Sequence, residues 1–328
     1  MQTTKKQLEG KSHILALAVF VALCVANVQS VFAQKTYHIY TLAETFDESV
    51  VGLGAIADNS TFLGYAQGSA ALITRNSIQP LDAPPGPFDP SSASYNCLNA
   101  SLTTAGSIYL EDYSDSVVFV RGAAGDFQIL SFPSGAMPQT TGINDNGDVV
   151  GYYYDQDFIG QGFIADQKGV HRIDVPGGTY VTPLGINASG VIVGNYSDEN
   201  YDQHNFVMDG KEITEFTIPG AAFTSANCIN NNGAIAGSYS DGTNQYGFVY
   251  KGGKLSTIDY ANPNAPDTIT RNIGGQAVVY VKFYSAPTVT SINDRGDIVG
   301  YTFDLYRTDP SSHFILGFQK SFWGTPLP

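Results

Sequence analysis

Four segments of this chain repeat one pattern. They begin at Gly142 (GINDNGDVVGYY), Gly185 (GINASGVIVGNY), Cys228 (CINNNGAIAGSY) and Ser291 (SINDRGDIVGYT). Their starts are separated by 43, 43 and 63 residues, the last interval being one period plus an insertion. A period in this range marks an array of like structural units and constrains the fold more than any local signal does. Each copy reads as strand, turn, strand. An apolar run ends at Ile-Asn, and an Asn/Asp/Gly cluster follows whose residues tolerate positive φ. A run rich in β-branched and aromatic residues comes next, such as Val149 to Tyr153.

A two-stranded hairpin is marginal alone, so the rest of the period must supply partners. Third strands read at Gly162-Phe163-Ile164-Ala165, Asn205-Phe206-Val207-Met208 and Gly247-Phe248-Val249-Tyr250. Fourth strands read from Val170 to Gly177, Ile213 to Gly220 and Leu255 to Tyr260. Four short strands per period predict an all-β chain folded as a β-propeller. Degenerate copies at Ile56–Tyr65 and Leu98–Ile108 raise the count to six blades. A seventh stays open if the insertion near 263–288 hides one, since Gln276 to Tyr284 is strand-like but has no Asn-x-x-Gly turn. The chain ends complement each other: Tyr37 to Leu42 resembles a lone fourth strand, and Ser291 to Lys320 supplies strands one to three and stops. Joining them closes the ring and removes exposed sheet edges.

The I-N-x-x-G-x-(V/I)-V-G-x-Y core, the G-F-(V/I) strand and the (L/I)-D-x-P-G turn resemble the HAF-type extracellular repeat proteins, over about residues 40–320. The resemblance implies a secreted repeat protein and names no chemistry. The N-terminus points the same way. Lys5, Lys6 and Lys11 precede an apolar run from Ile14 to Ala26, and Val31-Phe32-Ala33 offers a cleavage site before Gln34. The run is shorter than the roughly 20 residues that span a bilayer. Residues 1–33 are therefore expected to be a signal peptide and 34–328 a single propeller domain, secreted to the extracellular space or periplasm, without a membrane span and monomeric.

Loss of that leader takes the net charge from −14 to −16. An acidic chain disfavours nucleic acid and anionic membranes as partners. Cys97 and Cys228 both precede a Leu/Ile-Asn pair, three blades apart. That places them across the axis, beyond the roughly 7 Å limit of a disulfide, so two buried thiols are expected.

Following the strands, the turns between strands 1 and 2 (the 1–2 turns) share one face of the ring with the 3–4 turns. The 2–3 loops and the crossings between blades share the other. The longer inserts fall in such crossings, which assigns function to that second face. An acid recurs there: Asp155, Asp198, Asp241 and Asp304, each 11 residues past its repeat's Asn. The functional reading is a partial ring of carboxylates for Ca²⁺ or a cationic or polyhydroxyl ligand. The alternative is that each Asp caps its own turn. Tyr154, Tyr196, Tyr201, Tyr239, Tyr246 and Tyr306 flank these acids and could stack on sugars or cover strand ends. Asn144 to Asp148 faintly resembles a calcium loop but has neither the full spacing nor the terminal Glu, and a hairpin turn explains it better.

No HExxH, GxSxG or P-loop motif and no Cys/His metal spacing occurs. Glu111, Asp112, Glu199, Glu212 and Glu215 are uninformative carboxylates, and His204 and His313 sit at the third-strand signature, where packing or a strand-end hydrogen bond is expected. The sequence therefore predicts a binding or interaction module for glycan or extracellular protein, with no cofactor other than an open question of Ca²⁺. A polysaccharide hydrolase or lyase on the same scaffold is the alternative.

Overall fold

In the computed structural model, residues 37–46, 49–260, 266–273, 276–308 and 315–327 are described. The leader expected at 1–33, its cleavage site and His313 lie outside them. Six antiparallel sheets follow one another along the chain. Blade 1 comprises Val50–Ile56, Phe62–Ala66, Ser69–Thr74 and Ser77–Pro80. Blade 2 comprises Ser94–Leu98, Thr104–Tyr109, Ser116–Arg121 and Phe127–Leu130; blade 3, Gln139–Ile143, Val149–Tyr154, Gly160–Asp166 and Gly169–Ile173. Blade 4 comprises Thr179–Ile186, Ile192–Ser197, Gln203–Asp209 and Glu212–Glu215; blade 5, Phe223–Ile229, Ile235–Ser240, Gln245–Lys251 and Lys254–Ile258. In blade 6, Gln276–Ile292, Ile298–Arg307 and Ile315–Pro326 are completed on the outside by Tyr37–Thr41. The chain is thus a six-bladed β-propeller.

The insertion does not make a seventh blade. Thr268–Ile273 pairs with the first half of Gln276–Ile292, and that strand runs on unbroken into the innermost position of blade 6. The extra residues lengthen one blade into a tab beyond the 2–3 face.

The core is divided. Six apolar clusters each join residues of two neighbouring blades, for example Val150 of blade 3 with Val181, Ile192 and Phe206 of blade 4. The recurring Val-Gly and Gly-Phe motifs build these wedges. Phe163 and Phe206 are fully buried, each against the second-strand glycine of its own blade. A Cβ on Gly194 would lie 2.4 Å from the Thr182 carbonyl oxygen and 2.9 Å from the Phe206 ring, so no side chain fits.

The repeat's asparagine does more than turn the chain. Gly147, Gly190, Gly233 and Gly296 take the positive φ of the 1–2 turns in blades 3 to 6, Ser60 and Leu102 take it in blades 1 and 2, and the asparagine stays outside that region. In blade 4 the Asn187 Oδ1 accepts from the Ser189 and Val191 amides, capping its own turn. Its Nδ2 donates to the carbonyl of Asn230 in the next blade. The same amide bridge runs from Asn99 to Asn144 (2.9 Å), Asn144 to Asn187 (3.1 Å), Asn230 to Asn293 (2.8 Å) and Asn293 to Ala57 (3.2 Å). Five side chains clasp six blades. The sixth position is Ala57, so blade 1 offers blade 2 no equivalent donor.

Ring closure has two further parts. Tyr37–Thr41 pairs with Phe322–Pro326, and Tyr40 stacks on Trp323 with centroids 4.4 Å apart. The Trp323 Nε1 donates to Thr45 Oγ1 at 2.8 Å, on the short helix Leu42–Thr45. Ser291 Oγ and Ser321 Oγ in blade 6 accept amides of Ile56 and Leu53 in blade 1. Cys97 and Cys228 are both buried free thiols, each pushed up to about 12 by burial. Among the described residues no helix is long and apolar enough to cross a membrane.

Two outcomes are expected. Asn230→Asp keeps the capping oxygen but turns a donor into an acceptor facing the Asn293 carbonyl. It should lower stability by about 1–3 kcal/mol in denaturant titration, since a buried group is left unsatisfied. A chain beginning at Leu42 should self-associate in light scattering, because Ile315–Pro326 becomes an open edge.

Candidate functional site

The two faces of the ring differ in what their side chains do. Along the axis, Ile56, Leu98, Ile143, Ile186, Ile229 and Ile292 from the six inner strands converge, leaving cavities of only about 60 and 100 Å³. At the 1–2 mouth stand Asp58, Asp145, Asn231 and Asp294, each the residue after the clasp position. Their side-chain oxygens accept main-chain amides of the preceding blade: Asp58 from Asp294, Asp145 from Ala100, Asn231 from Ala188 and Asp294 from Asn231, at 2.7–2.9 Å. The Asn231 Nδ2 also reaches Asp145 Oδ2 and Asp294 Oδ2, at 2.7 and 2.8 Å. These groups hold neighbouring blades together. The sequence signal for them was the position following the repeat's Asn, which reads in one dimension only as turn composition.

The 2–3 face is different. Asp155, Asp198 and Asp241 sit at the starts of 2–3 loops in blades 3, 4 and 5. Each Oδ1 accepts two amides of its own loop: Asp157 and Ile159, Asn200 and Asp202, Thr243 and Asn244. Each Oδ2 meets the start of strand 3: Gln161 at 2.7 Å, His204 at 3.4 Å and Tyr246 at 3.3 Å. These amides hold all three carboxyls below the usual aspartate range. Asp304 is placed otherwise: it is buried within strand 2 of blade 6, with Lys282 Nζ at 3.1 Å and Ser285 Oγ donating at 2.8 Å. Tyr196 stacks on His204 with centroids 5.1 Å apart, and Tyr239 contacts Thr257 Oγ1 at 3.0 Å. Both are half-buried at the wedge ends. Tyr306 is buried and donates to the Pro266 carbonyl.

The 2–3 loops of blades 3 and 4 repeat the 1–2 turn in detail. In Asn144–Asp148, Asp155–Ile159 and Asp198–Asp202 the first amide donates to the fifth carbonyl and the fourth amide to the first carbonyl. The side-chain oxygen accepts the third and fifth amides. The fourth residue is left-handed in all three. In the first it is Gly147, and in the others Phe158 (φ 60°) and Tyr201 (φ 65°). Tyr180, at the start of strand 1 of blade 4, is also left-handed at φ 50°. A large side chain there costs on the order of 1 kcal/mol or more, which glycine avoids. Phe158 and Tyr201 recover little of it by packing, being 76% and 75% exposed.

These rings form a strip. The Tyr180 ring lies against Gly160, two residues after Phe158, and 6.4 Å from the Tyr201 centroid. Beyond the strip, every exposed large hydrophobic of the described residues except Ile129 and Leu327 lies toward this face or on the tab. The alternation of strands placed the 2–3 loops and the crossings on one face, as observed, but did not single out Phe158 or Tyr180; the sequence signal for Phe158 was an aromatic where the 1–2 turns of blades 3 to 6 carry Gly.

Among the described residues, His204 is the one titratable group of this face held by two carboxylates, Glu215 Oε1 at 3.2 Å and Asp198 Oδ2 at 3.4 Å. Those partners, Glu215 first, raise its pKa above the ordinary value.

No family model matches the chain, and no curated protein does. Solved structures share its architecture at low identity. A putative TolB of Agrobacterium tumefaciens is 11% identical, with 89% of this chain and 98% of that one covered and a TM-score of 0.43. AofleA of Arthrobotrys oligospora is 12% identical, with 86% and 92% covered and a TM-score of 0.41. The fucose-specific lectin of Aleuria aurantia is 11% identical, with 74% and 99% covered and a TM-score of 0.35. At this distance the likeness is to the ring of blades, and says nothing of the ligand.

The raised His204 pKa has a definite consequence. Its stabilisation is complete below the unfolded value near 6.5 and is lost as pH rises through the folded value. The melting temperature of the protein relative to a His204→Gln variant should therefore fall across that interval. An NMR titration should place His204 above 6.5.

Proposed function

We propose that this protein is a secreted or cell-surface binding module that takes a glycan or an extracellular protein on its 2–3 face. One observation carries the reading: Phe158 and Tyr201 are held three-quarters exposed in left-handed turn positions on that face, where the sister 1–2 turns use glycine in blades 3 to 6, Ser60 in blade 1, and in blade 2 a Leu102 that packs against the core. The opposite face has its polar side chains engaged between blades, and the axis is filled by aliphatic side chains. Loops on a rigid ring that carry strain without packing benefit belong to recognition. Aromatic rings suit the task, since each offers a large rigid contact area at little cost in side-chain entropy.

Thermal unfolding with soluble glycans tests this. A ligand at 100 times its dissociation constant should stabilise the protein by about 2.7 kcal/mol. The rise is expected to vanish when Phe158 and Tyr201 are replaced by glycine. If no glycan or extracellular protein binds, or if binding survives those substitutions, the reading fails. A rise produced by Ca²⁺ and reversed by EDTA would instead put an ion among the carboxylates of this face.

A further inference from the structure

The charge around the aromatic strip narrows the ligand. The 2–3 loops of blades 2 to 5, residues 110–115, 155–159, 198–202 and 241–244, contain nine Asp or Glu and no Lys or Arg. Asp157, Glu199 and Asp202 lie on exposed residues beside Phe158 and Tyr201. Arg172, whose charge acts on Asp155, is itself paired with Asp174 at 2.7 Å. His204 is held by its own two carboxylates. Exposed rings bordered by unpaired acid attract a cation twice: through the negative ring face and through the carboxylates. A polyanion or an anionic surface is repelled by the same arrangement.

The spacing of the rings selects the kind of cation. Tyr180, at the start of strand 1 of blade 4, lies 6.4 Å from Tyr201 by centroids, and its ring borders Gly160, two residues after Phe158 on the 2–3 loop of blade 3. Separate aromatic faces on one surface suit a polymer of like rings, which can lay the apolar face of one sugar on each. A groove for the varied side chains of a peptide is a different shape. Resting on the binding face proposed above, we infer that its ligand is a polysaccharide bearing free amino groups. The pyranose faces stack on Phe158, Tyr180 and Tyr201, and the ammonium groups sit against Asp157, Glu199 and Asp202.

The test is binding of a (1→4)-linked glucosamine hexamer by calorimetry, beside its fully N-acetylated form and a polylysine of matched charge. The glucosamine hexamer should bind at least tenfold more tightly than either, and its affinity should fall as salt is raised from 50 to 300 mM. Phe158→Gly with Tyr201→Gly should lose at least tenfold in affinity without lowering the melting temperature, because glycine relieves the left-handed strain. A purely structural role for these rings would lower it. Asp157→Asn with Glu199→Gln should weaken the glucosamine hexamer and leave any residual binding of the N-acetylated one unchanged.

Equal or tighter binding of the N-acetylated hexamer would overturn the amine requirement and leave the aromatic face standing. Tighter binding of polylysine would overturn it in favour of a basic peptide. Undiminished binding by the glycine variants would move the site elsewhere and overturn both readings. Absence of any hexamer binding would overturn this inference alone.

Discussion

The ring depends on one side-chain amide repeated five times. Each clasp asparagine caps its own 1–2 turn with its oxygen and holds the next blade with its nitrogen. Both functions are buried, so each amide is satisfied on both sides and neither end is replaceable by water. The arrangement explains why the turn is Asn-x-x-Gly. The asparagine needs its oxygen beside the third and fifth amides, and the left-handed fourth residue creates that geometry. An aspartate could cap the turn, but it has no N–H to donate forward to the next blade.

Around that clasp the packing follows. A propeller blade cannot bury both its faces by itself, so its apolar residues must serve two neighbours. The wedges meet that need with a glycine in each second strand and a phenylalanine in the third strand of blades 2 to 6, Ile73 standing there in blade 1. Blade 6 meets it with the two chain ends, where Tyr40, Trp323 and Thr45 lock Tyr37–Thr41 in place. Because the same few contacts recur around the axis, one face can be committed to holding the ring and the other left to vary.

That division gives the 2–3 face its character. Where the turn is reused without glycine, the strain is borne by aromatic residues that scarcely pack. The stabilising contacts of Asp155, Asp198 and Asp241 are local, capping the loops that raise Phe158 and Tyr201 into solvent. Of the two readings the sequence left open for these acids, a ligand ring or turn caps, the contacts made are those of caps, and a second set of acids borders the rings.

The sequence by itself determined the architecture. A 43-residue period with four strands, and two chain ends that complete one blade, point to a closed propeller of six or seven blades, because strand alternation and turn chemistry are local properties; that the insertion extends blade 6 was settled by the pairing of Thr268–Ile273 with Gln276–Ile292. It also fixed which face carries the loops and that Cys97 and Cys228 stay apart. Only the tertiary structure decided what the repeated polar residues do. An asparagine's reach to the next blade, the union of Asp145, Asn231 and Asp294 across the axis, and the burial of Asp304 against Lys282 all join residues from 22 to 236 positions apart in sequence. The meeting of Tyr180 and Tyr201 likewise joins two separate segments. Such contacts depend on blade geometry that no local pattern encodes, and the left-handed backbone that exposes those rings is visible only once the turn around each is folded.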